Sequence, residues 1–169
     1  DADLDKAVEG AMIAKYRNSG QTCVCANRIY VQSGIADAFA EKLAAATSKL
    51  KVGNGMDDGV QIGPLIDEAG IEKVEDHVKD AVSKGAKVVT GGKRSELGGT
   101  FFQPTVLSGV TKGMKVLSEE TFGPVAPLIK FDTIDEGIAL ANDTEFGLAA
   151  YFYARDISTV WKVAEEIES

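Results

Sequence analysis

The sequence predicts an α/β fold: a mostly parallel sheet with flanking helices. Three observations carry this expectation. Strand-like runs at Arg28–Val31, Lys87–Thr90 and Val125–Phe131 alternate with segments whose apolar residues recur at helical spacing. The run Ala149–Ala154 is continuously apolar and aromatic-rich, the pattern of a strand buried on both faces. Clusters of Gly, Pro, Asn and Asp mark the changes from one period to the other.

Taken in order, Leu4, Val8, Ala11 and Met12 recur at helical spacing behind Asp3, a candidate N-cap. That helix runs through Lys15-Tyr16-Arg17 and stops at Asn18-Ser19-Gly20, which is turn chemistry. After Arg28–Val31, Ser33 is placed to cap a second helix, with Ile35, Phe39, Leu43, Ala46 and Leu50 on one face. Gly53 to Leu65 is rich in glycine and too long for a simple connection, so it is expected to lie across a surface or a partner domain. Asp67 opens a third helix, with Ile71, Val74, Val78 and Ala81 inward, His77 at its solvent edge and Gly85 ending it. Phe101–Leu107 is strand-like, and Pro104 marks it as an edge or bulged strand. Glu119–Pro124 reads as a structured turn before the apolar run Val125–Phe131, which itself contains Pro127. Thr133-Ile134-Asp135-Glu136 is a capping box for a helix carrying Ile138 and Ala141. Asp156 is placed to cap the last helix, with Ile157, Val160, Ala164 and Ile167 inward.

Composition narrows the classes. A chain of 169 residues is long enough for one domain with a real core, here 1–169. A net charge of −8 and a pI near 4.7 argue against nucleic acid and against anionic membrane surfaces. No apolar run approaches the ~20 residues of a membrane span. Asp1-Ala2-Asp3-Leu4-Asp5 lacks the regions of a signal peptide, and with no initiator Met it suggests a processed chain or a fragment. Two cysteines are too few for a disulfide framework, which points to a reducing compartment, the cytoplasm.

Chemistry concentrates in Gly20-Gln21-Thr22-Cys23-Val24-Cys25, between a helix end and a strand. A tight turn there presents a thiol to a cleft and leaves backbone N–H groups free for an oxyanion. The competing role is packing, since free cysteines are often small buried hydrophobes. Zinc is rejected: Cys23, Cys25 and His77 make three soft ligands where a closed site needs four. A Cys–His hydrolase has nothing in the sequence to bring His77 to Cys23. The glycines of Gly53–Gly63 form neither a dinucleotide fingerprint nor a phosphate loop. Glu119 and Glu120 are candidates for a general base, though paired glutamates are commonly just solvated. The residues alone thus supply a cysteine nucleophile and no base.

Asn18-Ser19-Gly20-Gln21-Thr22-Cys23 resembles the catalytic-cysteine motif of the aldehyde dehydrogenase superfamily. Glu120-Thr121-Phe122-Gly123-Pro124-Val125 is similar to that family's second signature, and Ile62-Gly63-Pro64-Leu65 and Asn142–Leu148 match further segments. The likeness runs through the whole chain in order. Tyr16-Arg17-Asn18 and Cys23-Val24-Cys25 are closest to the branch of the family that oxidises succinate semialdehyde. The resemblance implies the catalytic domain of that type. Cys23 would attack the aldehyde, Glu120 would hold the nicotinamide ribose of NAD or NADP, and Phe122 would pack near the nicotinamide. Arg17 would receive the substrate carboxylate. Apart from the resemblance, two cysteines at i and i+2 share one face of an extended segment, which makes Cys25 a redox partner of Cys23. The resemblance also implies that the parent is a homo-oligomer. The cofactor domain, the glutamate base and the oxyanion asparagine would lie upstream, and a further segment downstream, so the isolated chain is expected to be inactive. Two other functions compete: a thiol-redox module using Cys23 and Cys25, and a binding domain of the same fold without chemistry.

Overall fold

The structure, a computed structural model, describes residues 1–169. In chain order it comprises α1 (Leu4–Tyr16), β1 (Ile29–Gln32), α2 (Ala36–Thr47), α3 (Glu68–Ser83), β2 (Lys87–Thr90), β3 (Thr105–Ser108), α4 (Lys115–Ser118), β4 (Val125–Phe131), α5 (Ile134–Asn142) and α6 (Ile157–Glu166). The sheet runs in the order β1-β4-β3-β2. The pairs β1/β4 and β3/β4 are parallel, and β2 joins antiparallel to β3. The mostly parallel α/β architecture is therefore the one expected.

Both faces of the sheet are covered. Side chains alternate across a strand, so neighbouring residues of β3 serve opposite cores. Val106 packs with Val8, Tyr16, Phe39 and Leu43 under α1 and α2. Leu107 packs with Ile71, Val74, Val78 and Met114 under α3. Tyr16 ties α1 to the sheet: its hydroxyl donates to the Thr105 carbonyl at 2.9 Å, and burial pushes its pKa far up. No helix is long and apolar enough to cross a membrane.

Local signals held at most helix starts. Asp3, Asp67, Thr133 and Asp156 each accept backbone N–H bonds of the first turn. Other expectations need correction. Ser33 caps nothing; its hydroxyl binds the Phe131 carbonyl and the Asp132 carboxylate, because a short 3₁₀ turn, Ser33–Ile35, precedes α2. The strand near Pro104 starts only at Thr105, beyond the proline, and is no edge: it lies between β4 and β2, though its pairing with β2 is irregular between Val88 and Thr90. Pro127 lies in the strand flanked by β1 and β3: Val125–Pro127 register with β3 and Leu128–Phe131 with β1. The missing N–H thus falls where the pairing changes sides, which reconciles a proline with an interior strand.

The largest correction concerns Ala149–Ala154, which forms no strand and is largely exposed. An extended backbone becomes a strand only when another strand satisfies its N–H and C=O groups, and none of this chain pairs with it. Across an apolar slot of about 670 Å³ it faces β1, itself the edge of the sheet. The last helix, α6, has no buried residue, and Ile157, expected inward, is 65 % exposed.

Candidate active site

The site begins where α1 stops. Tyr16 ends the helix, and Asn18, Ser19 and Gly20 follow with φ of 48°, 59° and 75°. Three successive left-handed residues reverse the chain, and Asn and Gly are the types that tolerate this best. The Asn18 amide donates to the Gln21 carbonyl at 3.1 Å. Ser19 donates to the Gly63 carbonyl at 3.1 Å, and Gln21 both donates to the Pro64 carbonyl and accepts from the Ile66 N–H. The long irregular stretch before Leu65 thus braces the cysteine turn.

Thr22–Cys25 closes as a turn, with the Cys25 N–H on the Thr22 carbonyl at 2.9 Å. Cys23 sits exposed at its corner, while Cys25 is buried. The N–H groups of Thr22, Cys23 and Val24 donate to no backbone group of the chain. The turn expected between the helix end and the strand is therefore present. The Cys25 sulfur lies 2.8 Å from the Thr22 hydroxyl and 3.7 Å from the Arg17 carbonyl. The two cysteines therefore point differently, one outward and one in.

The Glu119–Pro124 loop is fastened beside this turn. The Thr121 N–H donates to Asn27 Oδ1 at 3.0 Å, and Ala26 N–H to the Ala14 carbonyl at 3.0 Å. Cys23, Cys25, Glu119 and Glu120 all line the slot between β1 and Ala149–Ala154. Glu120 is exposed, and the loop's ion pair goes to Glu119 instead. Its carboxylate is free to accept the two hydroxyls of a ribose, so the residues present fit a nicotinamide nucleotide. Arg17 is exposed and lines a smaller cleft of about 310 Å³ with Thr22, Val24, Cys25 and Tyr151; Cys23 is not part of that wall. Phe122 is 40 % exposed and lines neither space.

Two residues of the site escaped the sequence reading. His77, expected at the solvent edge, is completely buried, with Nδ1 2.7 Å from the Thr121 hydroxyl and Nε2 3.1 Å from Glu119. Burial lowers its pKa, and Glu119 opposes the shift. Its place beside Val74 and Val78 on the inward stripe of α3 was the available signal. Lys15 is also completely buried, and its ammonium has no hydrogen-bond partner. Burial lowers its pKa to about 8, against the opposing charges of Cys25 and Glu120. Its signal was its spacing of seven from Val8, two turns along the same face.

The structure is thus a mostly parallel α/β protein in which an exposed thiol, at a turn with undonated amides, and an exposed carboxylate line one slot. The chain belongs to the aldehyde dehydrogenase family, whose profile matches residues 1–169. It is 66 % identical to the glutarate-semialdehyde dehydrogenase of Pseudomonas putida over 168 residues, covering 99 % of this chain and 35 % of that protein. It is 64 % identical to the NADP(+) succinate-semialdehyde dehydrogenase of Escherichia coli, with the same coverage. The crystal structure of succinate-semialdehyde dehydrogenase from Burkholderia pseudomallei superposes with a TM-score of 0.98 at 62 % identity, over 99 % of this chain and 35 % of that one. The chain thus spans about a third of the length of these relatives.

Proposed function

We propose that this chain is the catalytic lobe of an NAD(P)-dependent dehydrogenase that oxidises succinate semialdehyde to succinate through Cys23. One observation carries the reading: Cys23 and Glu120 line the same slot, the thiol exposed and its turn's amides undonated. The Cys23 thiolate adds to the aldehyde carbon, and the carbonyl oxygen becomes an oxyanion. The backbone N–H of Cys23, which donates to no backbone group of the chain, would be a donor for that charge. A nicotinamide, when bound, would supply the hydride acceptor that turns the thiohemiacetal on Cys23 into a thioester, and Glu120 would hold its ribose. Water attacks the thioester carbonyl, releasing the acid and the free thiol. Phe122, two residues beyond Glu120, lies on the surface outside the slot, so it would meet the nicotinamide only if the bound nucleotide reached past the slot's rim.

The activity belongs to the longer protein, as a homo-oligomer, and the 169-residue chain alone is expected not to turn over. The general base and the cofactor domain are the parts it would lack, and positioned groups each contribute ~10²–10⁴-fold. The test uses the full-length protein. Cys23→Ser is expected to lower succinate-semialdehyde oxidation by roughly 10³-fold or more. Retention of a tenth of the wild-type rate would remove Cys23 from the chemistry.

A further inference from the structure

We propose that His77 is a positioning residue for nucleotide binding, because it clamps both residues that flank Glu120. The proposal rests on the reading of Glu120 as the ribose-holding carboxylate. Glu119 and Thr121 are its immediate neighbours in the chain. Each bonds one nitrogen of the same imidazole: Thr121 Oγ1 at 2.7 Å from Nδ1, Glu119 Oε2 at 3.1 Å from Nε2.

The chemistry assigns the protons. A carboxylate only accepts, so Nε2 carries the hydrogen toward Glu119, and Nδ1 accepts from the Thr121 hydroxyl. Thr121 is then held at two atoms. Its N–H goes to Asn27 on the cysteine side, and its hydroxyl to α3 beneath the loop. Both flanks of Glu120 are fixed, and of the two adjacent glutamates at the slot only Glu120 keeps its carboxylate without a bonded partner. An apolar side chain at position 77 would serve the core equally well. What it would lack is the pair of bonds that stop the loop rotating about Glu120. The other charges acting on the imidazole, Lys73 and Asp76, belong to its own helix and bear on its protonation, not on the loop.

The predicted consequence is specific. Loosening the clamp weakens nucleotide binding and spares the thiol. In the full-length protein, NADPH affinity is read by fluorescence titration, and hydrolysis of p-nitrophenyl acetate reports the thiol without needing nucleotide. Thr121→Val and His77→Leu are each expected to raise the Kd about tenfold, as loss of an outer support does at other sites. Ester hydrolysis should stay within about twofold of wild type, the scale of an uncoupled site. Thr121→Ser keeps the hydroxyl and should restore wild-type affinity. Glu120→Gln is the control for the underlying reading and should also weaken NADPH binding. If Glu120→Gln weakens it while Thr121→Val does not, His77 only packs the core and the proposal is overturned. If Glu120→Gln has no effect, the ribose reading falls and the proposal with it. Equal loss of affinity and ester hydrolysis in Thr121→Val also overturns it, since that signals general collapse. Where His77→Leu does not fold, the Thr121 pair decides the matter.

Discussion

Gly20 and Gly123 meet backbone to backbone: a Cβ built on Gly20 would stand 2.1 Å from the Gly123 carbonyl oxygen. The contact joins the cysteine turn to the loop of Glu120, and Gly123 in turn is pressed against Val74 of α3. Gly20 also has a φ of +75°, which an L side chain resists. Gly20→Ala is therefore expected to destabilise by more than about 2 kcal/mol, through strain and clash together. Urea denaturation of wild type and variant measures it. A loss below about 0.5 kcal/mol, the range of an ordinary surface change, would mean the two loops part without cost.

Lys15 makes a prediction of opposite sign. Its folded pKa, about 8, lies below the ordinary value of 10.5. Between those values the unfolded chain binds more protons, so stability contributed at this site rises as pH rises from about 8 to 10.5. Below about pH 8 the charged, unpartnered ammonium imposes its full burden, on the order of 3 kcal/mol. Lys15→Met keeps the length and removes the charge. It should stabilise the chain at pH 7 by about 1–3 kcal/mol and abolish this part of the alkaline rise. Destabilisation at pH 7 instead would show that the ammonium has a partner that lowers its energy.

Arg17 is proposed as the receptor of the substrate carboxylate, and it is exposed at the cleft that Cys25 shares. A guanidinium binds a carboxylate through two parallel N–H···O bonds. In the full-length protein Arg17→Ala should cost ~2–5 kcal/mol in kcat/KM for succinate semialdehyde, the range for unpairing a buried charge. Butanal, with no carboxylate, should lose far less. Equal losses on both aldehydes, or none on either, would take Arg17 out of the substrate site.

Cys25 is proposed to form a disulfide with Cys23 under oxidation. Peroxide converts the Cys23 thiolate to a sulfenic acid with release of hydroxide, and attack by the Cys25 thiol then releases water and leaves the bridge. The sequence suggested an extended segment, but Cys23 and Cys25 lie in a turn, with the Cys25 sulfur held by the Thr22 hydroxyl. The bridge must break that contact, so Thr22→Val should speed disulfide formation. Peroxide should inactivate the full-length protein and dithiothreitol restore it. The same dithiothreitol-reversible loss in Cys25→Ala would exclude the bridge as its cause.

What the sequence determined by itself is what neighbouring residues decide. Asp3, Asp67, Thr133 and Asp156 start helices because their side chains reach N–H groups two or three residues away. Asn18-Ser19-Gly20 turns the chain because of its own dihedral preferences, and so the exposed Cys23 was legible. The tertiary structure decided what depends on distant partners. His77 became a buried strut because Thr121, 44 positions on, reaches it from the loop above, and Lys15 became a buried cation within reach of the charges of Cys25 and Glu120, which only the fold brings near it. Pro127 became part of an interior strand because pairing changes sides at that residue. Ala149–Ala154 has a strand's composition and forms none, since a backbone donor is satisfied only by an acceptor that the fold brings to it.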